Sequence, residues 1–574
     1  MARRSRQGGR AMKQYCDGGE AILEAFRSLG LDYIISSPGS EWSPVWEALA
    51  RQKVNQQSGP SYIDCWHETL AVDMAMGYTQ MTGRMQAVLL HAGAGLLQGS
   101  AGMHSAMLAE VPMVIMSGES TSFGEDPQLA IEPQWYRSLS IVGGPQRLVE
   151  PVTKWASQAA NVHTLYEHVV RAGEFAQRTP MGPVYLNAPL EVMLQEWTPP
   201  GNPRRVPPPP KTRAKDSDVE KIAELLITAR NPVILTDNAG RDPAAFAALV
   251  ELADLFAIPV GGRAAFANFP KNHPLHLGTG IQPFIKDADL ILLIGCRAPW
   301  YPPSRKPTAG TVVAIDENPL KGMMVYQSLQ ADHYLEGEIA ASLSLLVEAA
   351  KAAGIGAGKH ADRRAAWQRE HDQMITAEHA AEAKARAGDK IAPLALVGAL
   401  REAMPADVVY VEETITHAGL LQQHLPWSQP QSFFRAGGGL GQGLGTALGV
   451  KLGAPRRPVA AVIGDGSFLY NPVTQALGAS KGNGLPILIV VCNNGQYRAM
   501  QVGHRHHYPD GVAHEADMWH GVTIDGPDYA ELGKPFGFHG QKVERPAELP
   551  GAIRNALREV DGGQSAILNV VLSQ

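Results

Sequence analysis

Short runs of apolar, often β-branched residues recur along the chain, separated by longer stretches whose apolar residues fall at helical spacing. In the first third they read DYIIS, MQAVLLH, PMVIMSG and PVYLNAP; in the second NPVILTD, ADLILLIG and TVVAID; in the last DVVYVE, PVAAVIGDG, PILIVVCNN and SAILNVVL. A strand with one face in water alternates apolar with polar residues, whereas these runs are apolar throughout. They are expected to be buried on both faces, in parallel sheets whose crossovers are the intervening helices. The pattern predicts an α/β protein of three doubly wound parallel-sheet domains. Ligands in such folds sit beyond the carboxyl ends of the strands, so the residues that follow each run carry the functional information.

Two seams divide the chain. The stretch TPPGNPRRVPPPPK, Thr198 to Lys211, is a proline-stiffened linker that can be neither helix nor central strand. A looser seam, GIGAGK at Gly354 to Lys359, leads into an Ala-rich helical stretch that ends near Lys390. The 574 residues then fall into an N-terminal domain over 1–197, a middle domain over 212–352 and a C-terminal domain over 388–574. Composition narrows the function. Fifty Lys and Arg against 56 Asp and Glu leave a net charge of −6, which argues against a general nucleic-acid-binding surface. No apolar run nears the ~20 residues of a membrane span. The basic start, MARRSRQGGR, leads into polar residues rather than a signal core and reads as a disordered tail. Cys16, Cys65, Cys296 and Cys492 are too scattered for a Cys-x-x-Cys site. They point to a reducing compartment, and the expected location is cytoplasmic.

The sharpest chemistry lies at two strand ends of the last third. One run closes on Gly464-Asp465-Gly466-Ser467 and the next on Asn493-Asn494-Gly495-Gln496-Tyr497. An Asp between glycines lets backbone amides approach an anion while its carboxylate holds a hard cation. Asn494 and a nearby backbone carbonyl can supply further oxygens, a set that suits Mg²⁺ shared with phosphate. Each half alone is most often just a turn; in order and at adjacent strand ends, the pair is specific. Upstream, RAGGGLGQGLGTALG (Arg435 to Gly449) can either admit a flat ligand with a diphosphate or form a close helix–helix contact.

This pair resembles the magnesium–diphosphate signature of thiamine diphosphate enzymes, and the whole chain resembles the branch containing acetolactate synthase, pyruvate decarboxylase and benzoylformate decarboxylase. That branch runs in the order pyrimidine-binding, middle and diphosphate-binding domain, which fits the three segments. The resemblance implies Mg²⁺ held by Asp465, Asn494 and the carbonyl of Gln496. It implies a cofactor bound around Gly464, Gly466, Ser467 and Tyr497, with Thr416 and His417 on the diphosphate and Leu440 wedged between the cofactor's rings. Ala499 and Met500 would line the substrate pocket. In the first segment, HETLAVDMAMGYTQMTG from His67 matches the family pattern in which Glu68 faces the aminopyrimidine ring and promotes ylid formation. SSPGSEWSPV and LHAGAG resemble the motifs of benzoylformate decarboxylase-like members. Ser40 would then hold the substrate carboxylate and His91 relay protons, where a bland reading makes them a helix cap and a core imidazole.

Three departures are visible. The family's middle-domain histidine does not recur, and Lys286-Asp287-Ala288-Asp289 stands near its expected place. Gly482-Asn483-Gly484 enlarges the turn between the two metal-motif halves. CRAPWYPPSRK replaces the arginine–aspartate run of the FAD-bearing acetolactate synthases, so FAD is disfavoured though left open. His504, His506, His507, His514 and His520 follow the metal strand without a zinc-like pattern and are expected in a cover over the site. The resulting expectation is a thiamine diphosphate- and Mg²⁺-dependent enzyme acting on a 2-oxo acid. Decarboxylation to an enamine would precede protonation or carboligation. The alternatives are an acetolactate synthase-like carboligase and a non-catalytic cofactor-binding homologue. The resemblance also implies sites shared across a homodimer, paired into a homotetramer, with no nucleic acid and no membrane.

Overall fold

A computed structural model describes residues 16–125, 133–356 and 358–573; the basic start lies outside them. Three six-stranded sheets carry the chain. The first contains β1 (Tyr33–Ser37), β2 (Ser61–Asp64), β3 (Gln86–Leu90), β4 (Met113–Ser117), β5 (Trp155–Gln158) and β6 (Pro183–Asn187), in the order β2-β1-β3-β4-β6-β5. The second contains β7 (Pro232–Thr236), β8 (Val260–Gly261), β9 (His276–Gly278), β10 (Leu290–Ile294), β11 (Thr311–Asp316) and β12 (His333–Glu336), in the order β12-β11-β10-β7-β8-β9. The third contains β13 (Val409–Glu413), β14 (Phe433–Arg435), β15 (Val459–Gly464), β16 (Leu488–Asn493), β17 (His539–Val543) and β18 (Ala566–Val571), in the order β14-β13-β15-β16-β18-β17.

Every neighbouring pair is parallel. Central strands such as β3, β10 and β15 are buried along nearly their whole length, as continuous apolar runs require. The first and third sheets share one strand order, counted from their own first strands. The middle sheet instead reads 3-2-1-4-5-6 from β9 to β12, with its switch point between β7 and β10.

The helix Glu68–Thr82 shows how sequence fixes the frame of the site. His67 caps it, its Nδ1 accepting the Thr69 amide at 3.2 Å, and Gly83 ends it at φ +71°, a conformation open to glycine. Residues Leu70 to Gln80 are all buried, so this helix belongs to the interior. It lies against the helix Gly443–Gly453 at backbone distance. A Cβ on Gly77 would fall 2.1 Å from the Thr446 carbonyl oxygen, and one on Gly449 would fall 2.0 Å from that of Met74. The first and third sheets therefore share one hydrophobic core, while the middle sheet keeps its own. A buried ionic cluster pins the middle sheet to the first: Lys321 Nζ lies 3.0 Å from Glu110 and 3.1 Å from Asp316.

Candidate active site

Strands β15 and β16 pair through Gly464 and Cys492, which sets their carboxyl ends side by side. Asp465 opens the short helix Asp465–Tyr470 and is buried. Its Oδ1 accepts the Gly466 amide at 2.9 Å and its Oδ2 the Gly495 amide at 2.7 Å, so the two motif halves are joined through one carboxylate. Asn494 Oδ1 accepts the Gln496 amide at 3.0 Å, and Gly495 turns at φ +65°. Burial pushes the Asp465 carboxyl up despite the amides around it, and no basic side chain pairs with it among the described residues. One carboxylate, one side-chain amide oxygen and the free carbonyl of Gln496 form the donor set that Mg²⁺ takes when phosphate oxygens complete its shell.

Thr416, His417, Leu440, Gly464, Asp465, Gly466, Ser467, Asn494, Gln496, Tyr497, Ala499 and Met500 all line one cavity of about 610 Å³. His417 Nε2 is buried there without a hydrogen-bond partner. Burial, and then the nearby Arg498, hold this imidazole below its ordinary range, leaving a neutral ring nitrogen free for a ligand. The glycine-dense stretch divides into two parts. Gly443 to Gly453 forms the close helix contact, while the preceding loop carries Leu440 to the cavity. Glu413, which the sequence did not single out, fixes that loop: its carboxylate accepts amides of Gly441 at 2.5 Å, Gln442 at 3.1 Å and Gly443 at 2.8 Å.

The first-segment candidates meet at a different corner. His91 follows β3, Ser40 follows β1, and Glu68 opens its helix beside them. A Cβ on Gly95 would lie 2.7 Å from His91 Cβ and 2.8 Å from Glu68 Oε1, so the glycine is what lets the two approach. Ser40 is exposed and begins a short turn; Gly39, not Ser40, holds the cap position. The sequence also passed over Glu41. It is 0% exposed, lies 3.1 Å from His91 Nδ1 through both carboxylate oxygens, and accepts the Ala92 amide at 2.7 Å. The hydrogen bond to Glu41 raises the His91 pKa against the opposing effect of burial. Nδ1 facing a carboxylate must carry its proton, which leaves Nε2 as the working nitrogen.

Ser40, Glu68 and His91 do not line the 610 Å³ cavity, whose walls all come from the third segment. Lys286 to Asp289 sits at the amino end of β10, where Asp289 accepts the amides of Arg230 at 2.6 Å and Asn231 at 2.8 Å. That is the end opposite to where ligands bind. Gly482 to Gly484 forms a surface turn with Gly484 at φ +62°. The helix Arg498–His507 buries none of its residues, and His504, His514 and Arg505 gather on the Trp519 ring. No group of three or more His, Cys, Asp or Glu among the described residues is placed to hold a metal. A second cavity, about 500 Å³, opens at the switch point of the middle sheet beside Asp237 and Arg297; burial pushes Asp237 up to about 6.

The chain matches known proteins over nearly its whole length. Residues 16–136 match the N-terminal TPP binding domain of thiamine pyrophosphate enzymes, 219–346 the central domain, and 415–570 the C-terminal TPP binding domain. The chain is 26% identical to benzoylformate decarboxylase of Pseudomonas aeruginosa, over 94% of this chain and 96% of that one. It is 24% identical to the acetolactate synthase isozyme 2 large subunit of Escherichia coli, over 94% and 93%. Among solved structures, a thiamine diphosphate-dependent 4-hydroxybenzoylformate decarboxylase of Rhodococcus jostii superposes with a TM-score of 0.78 at 21% identity, covering 97% of this chain and 99% of that one. Benzoylformate decarboxylase from Polynucleobacter necessarius also reaches 0.78, at 22% identity, over 97% and 99%.

Proposed function

The chain belongs to the thiamine pyrophosphate enzyme family, and from that premise we propose a Mg²⁺-dependent 2-oxo acid decarboxylase of the benzoylformate decarboxylase kind. The observation that carries this reading is the convergence of Thr416, His417, Leu440, Asn494 and Gln496 on one cavity around Asp465, which no basic side chain among the described residues neutralises. Asp465, Asn494 and the Gln496 carbonyl would hold Mg²⁺. Thr416, His417 and the amide of Ser467 would hold the diphosphate, and Leu440 would support the bend between the two rings. When bound, thiamine diphosphate supplies the carbon nucleophile and electron sink that no side chain offers.

The first-segment corner handles protons and substrate. Glu68 would hold a proton at the aminopyrimidine ring, and Ser40 the substrate carboxylate. Glu41 fixes the His91 ring and raises its pKa, so Nε2 is ready to donate a proton. A positioned donor favours release of an aldehyde over attack on a second carbonyl. None of these residues is in the lining of the cavity in one chain, which supports a reading in which they serve the cavity of a second subunit. The smallest active unit is then a homodimer, with a tetramer of paired dimers as the larger assembly. The four cysteines are unpaired, which supports a reducing, cytoplasmic setting. No helix among the described residues is long and apolar enough to cross a membrane.

The test is the full-length protein with thiamine diphosphate, Mg²⁺ and a panel of 2-oxo acids, with CO₂ and products identified. CO₂ with an aldehyde is expected, and Glu68→Gln should cost roughly 10²–10⁴-fold in rate. Bound cofactor with no CO₂ from any acid would overturn the reading. A hydroxyketone as the main product would favour the acetolactate synthase-like alternative. The switch-point cavity of the middle sheet is the observation that keeps FAD in that alternative, and a yellow protein would support it.

A further inference from the structure

Arg498 has no partner for its charge among the described residues. It is half-buried and opens the helix Arg498–His507 directly after the metal turn. Its side chain lines the 610 Å³ cavity beside Thr416 and His417. Among the described residues no hydrogen bond or ion pair engages its guanidinium, whereas Arg505 on the same helix is settled over the Trp519 ring, 5.0 Å from its centre. The cavity offers a single carboxylate, Asp465, and both of its oxygens are already occupied by amides. Arg498 also acts electrostatically on His417, whose buried Nε2 has no hydrogen-bond partner among the described residues. Two unpaired nitrogen groups on one wall define a recognition surface for a polyanion.

We propose that Arg498 is a second anchor for the cofactor's diphosphate, acting beside the metal and not through it. The inference rests on the thiamine diphosphate reading above. A diphosphate ester carries more negative charge than one divalent cation offsets, particularly with Asp465 in the same shell. A guanidinium beside His417 removes part of the excess and gives two donors in fixed geometry. The same chemistry could instead serve a second acid group on the substrate, and the experiment separates these two sources of the anion.

Binding of thiamine diphosphate, of inorganic pyrophosphate and of unphosphorylated thiamine is measured by titration calorimetry on the full-length apoprotein at fixed Mg²⁺. Wild type is compared with Arg498→Gln and Arg498→Lys. The glutamine variant should lose about ten- to hundredfold in affinity for both diphosphates, as for a charge-assisted hydrogen bond. Thiamine should be unaffected, and the lysine variant should recover part of the loss. The affinity of wild type should also fall more steeply with salt than that of Arg498→Gln. Unchanged diphosphate affinity in a folded Arg498→Gln protein overturns the proposal. A selective rise in KM for dicarboxylic 2-oxo acids with unchanged cofactor affinity overturns it too, and gives the arginine to the substrate. Failure of wild type to bind thiamine diphosphate at all would instead sink the functional reading, and this proposal with it.

Discussion

Glu41 is a carboxylate with no exposure to water, a situation that costs several kcal/mol unless the charge is answered. His91 and the Ala92 amide answer it. The pair therefore has two consequences that can be read separately. Glu41 raises the His91 pKa in the folded state above the ~6.5 of a free imidazole. The pairing thus stabilises the fold fully below that value, and the contribution is lost as pH rises through the folded-state value. Glu41→Gln should move the alkaline limb of the pH–rate profile to lower pH and shift the His91 ring resonances in an NMR titration the same way. If the limb stays in place while the resonance moves, His91 is not the proton donor. Neither Glu41 nor Glu413 was legible in the sequence, because each acts through the direction of its carboxylate toward a residue distant along the chain. Arg498 was hidden for a related reason: an arginine's meaning lies in the partner it lacks.

At the scale of elements, the seam between the helices Glu68–Thr82 and Gly443–Gly453 is the place where small errors cost most. Gly77→Ala forces a methyl into the Thr446 carbonyl and should destabilise by roughly 1–3 kcal/mol or more, as overpacking does. Denaturant unfolding checks this, and an unchanged midpoint would mean that the helices do not approach so closely. Asp73 lies in the same seam, fully buried, with both carboxylate oxygens unpartnered. Burial, and then the neighbouring Glu413, raise its pKa well above the ordinary value. The native state keeps the proton that the unfolded chain releases, so stability is greatest below the unfolded value and declines as pH rises toward the folded one. Asp73→Asn removes that decline and should gain more in thermal midpoint at pH 8 than at pH 5. The strands tell a parallel story about legibility. The apolar runs named β1, β3, β4 and β6, then β7, β10 and β11, then β13, β15, β16 and β18, which are the central strands of each sheet. Those without a continuous apolar run are the edge strands β2, β5, β9, β12, β14 and β17 and the two-residue β8 one place in from an edge, and several are half-exposed or only two or three residues long. A flanking strand needs no continuous apolar run, so the periodicity that finds central strands is blind to it.

At the scale of the molecule, the shared strand order of the first and third sheets matters less than the distance between what they carry. Glu68, His91 and Ser40 gather at one corner, and the cavity around Asp465 is walled by the third segment alone. Glu68 is not among the residues that line the Asp465 cavity, and on the reading proposed above a two-fold pair of chains would offer each cavity the other's acid. The arrangement makes a demanding prediction. Glu68→Gln and Asp465→Ala proteins should each be nearly inactive, the first for want of a proton site and the second for want of a metal ligand. Mixed under conditions that exchange subunits, they should regain activity, because one site of a mixed dimer collects both lesions and the other collects neither. Recovery should approach about half of wild type per mixed dimer by symmetry. Native mass spectrometry establishes that exchange has occurred, and the same 2-oxo acid assay reads the activity. Verified exchange with no recovered activity, or a monomer with full activity, would require Glu68 and Asp465 to act within a single chain.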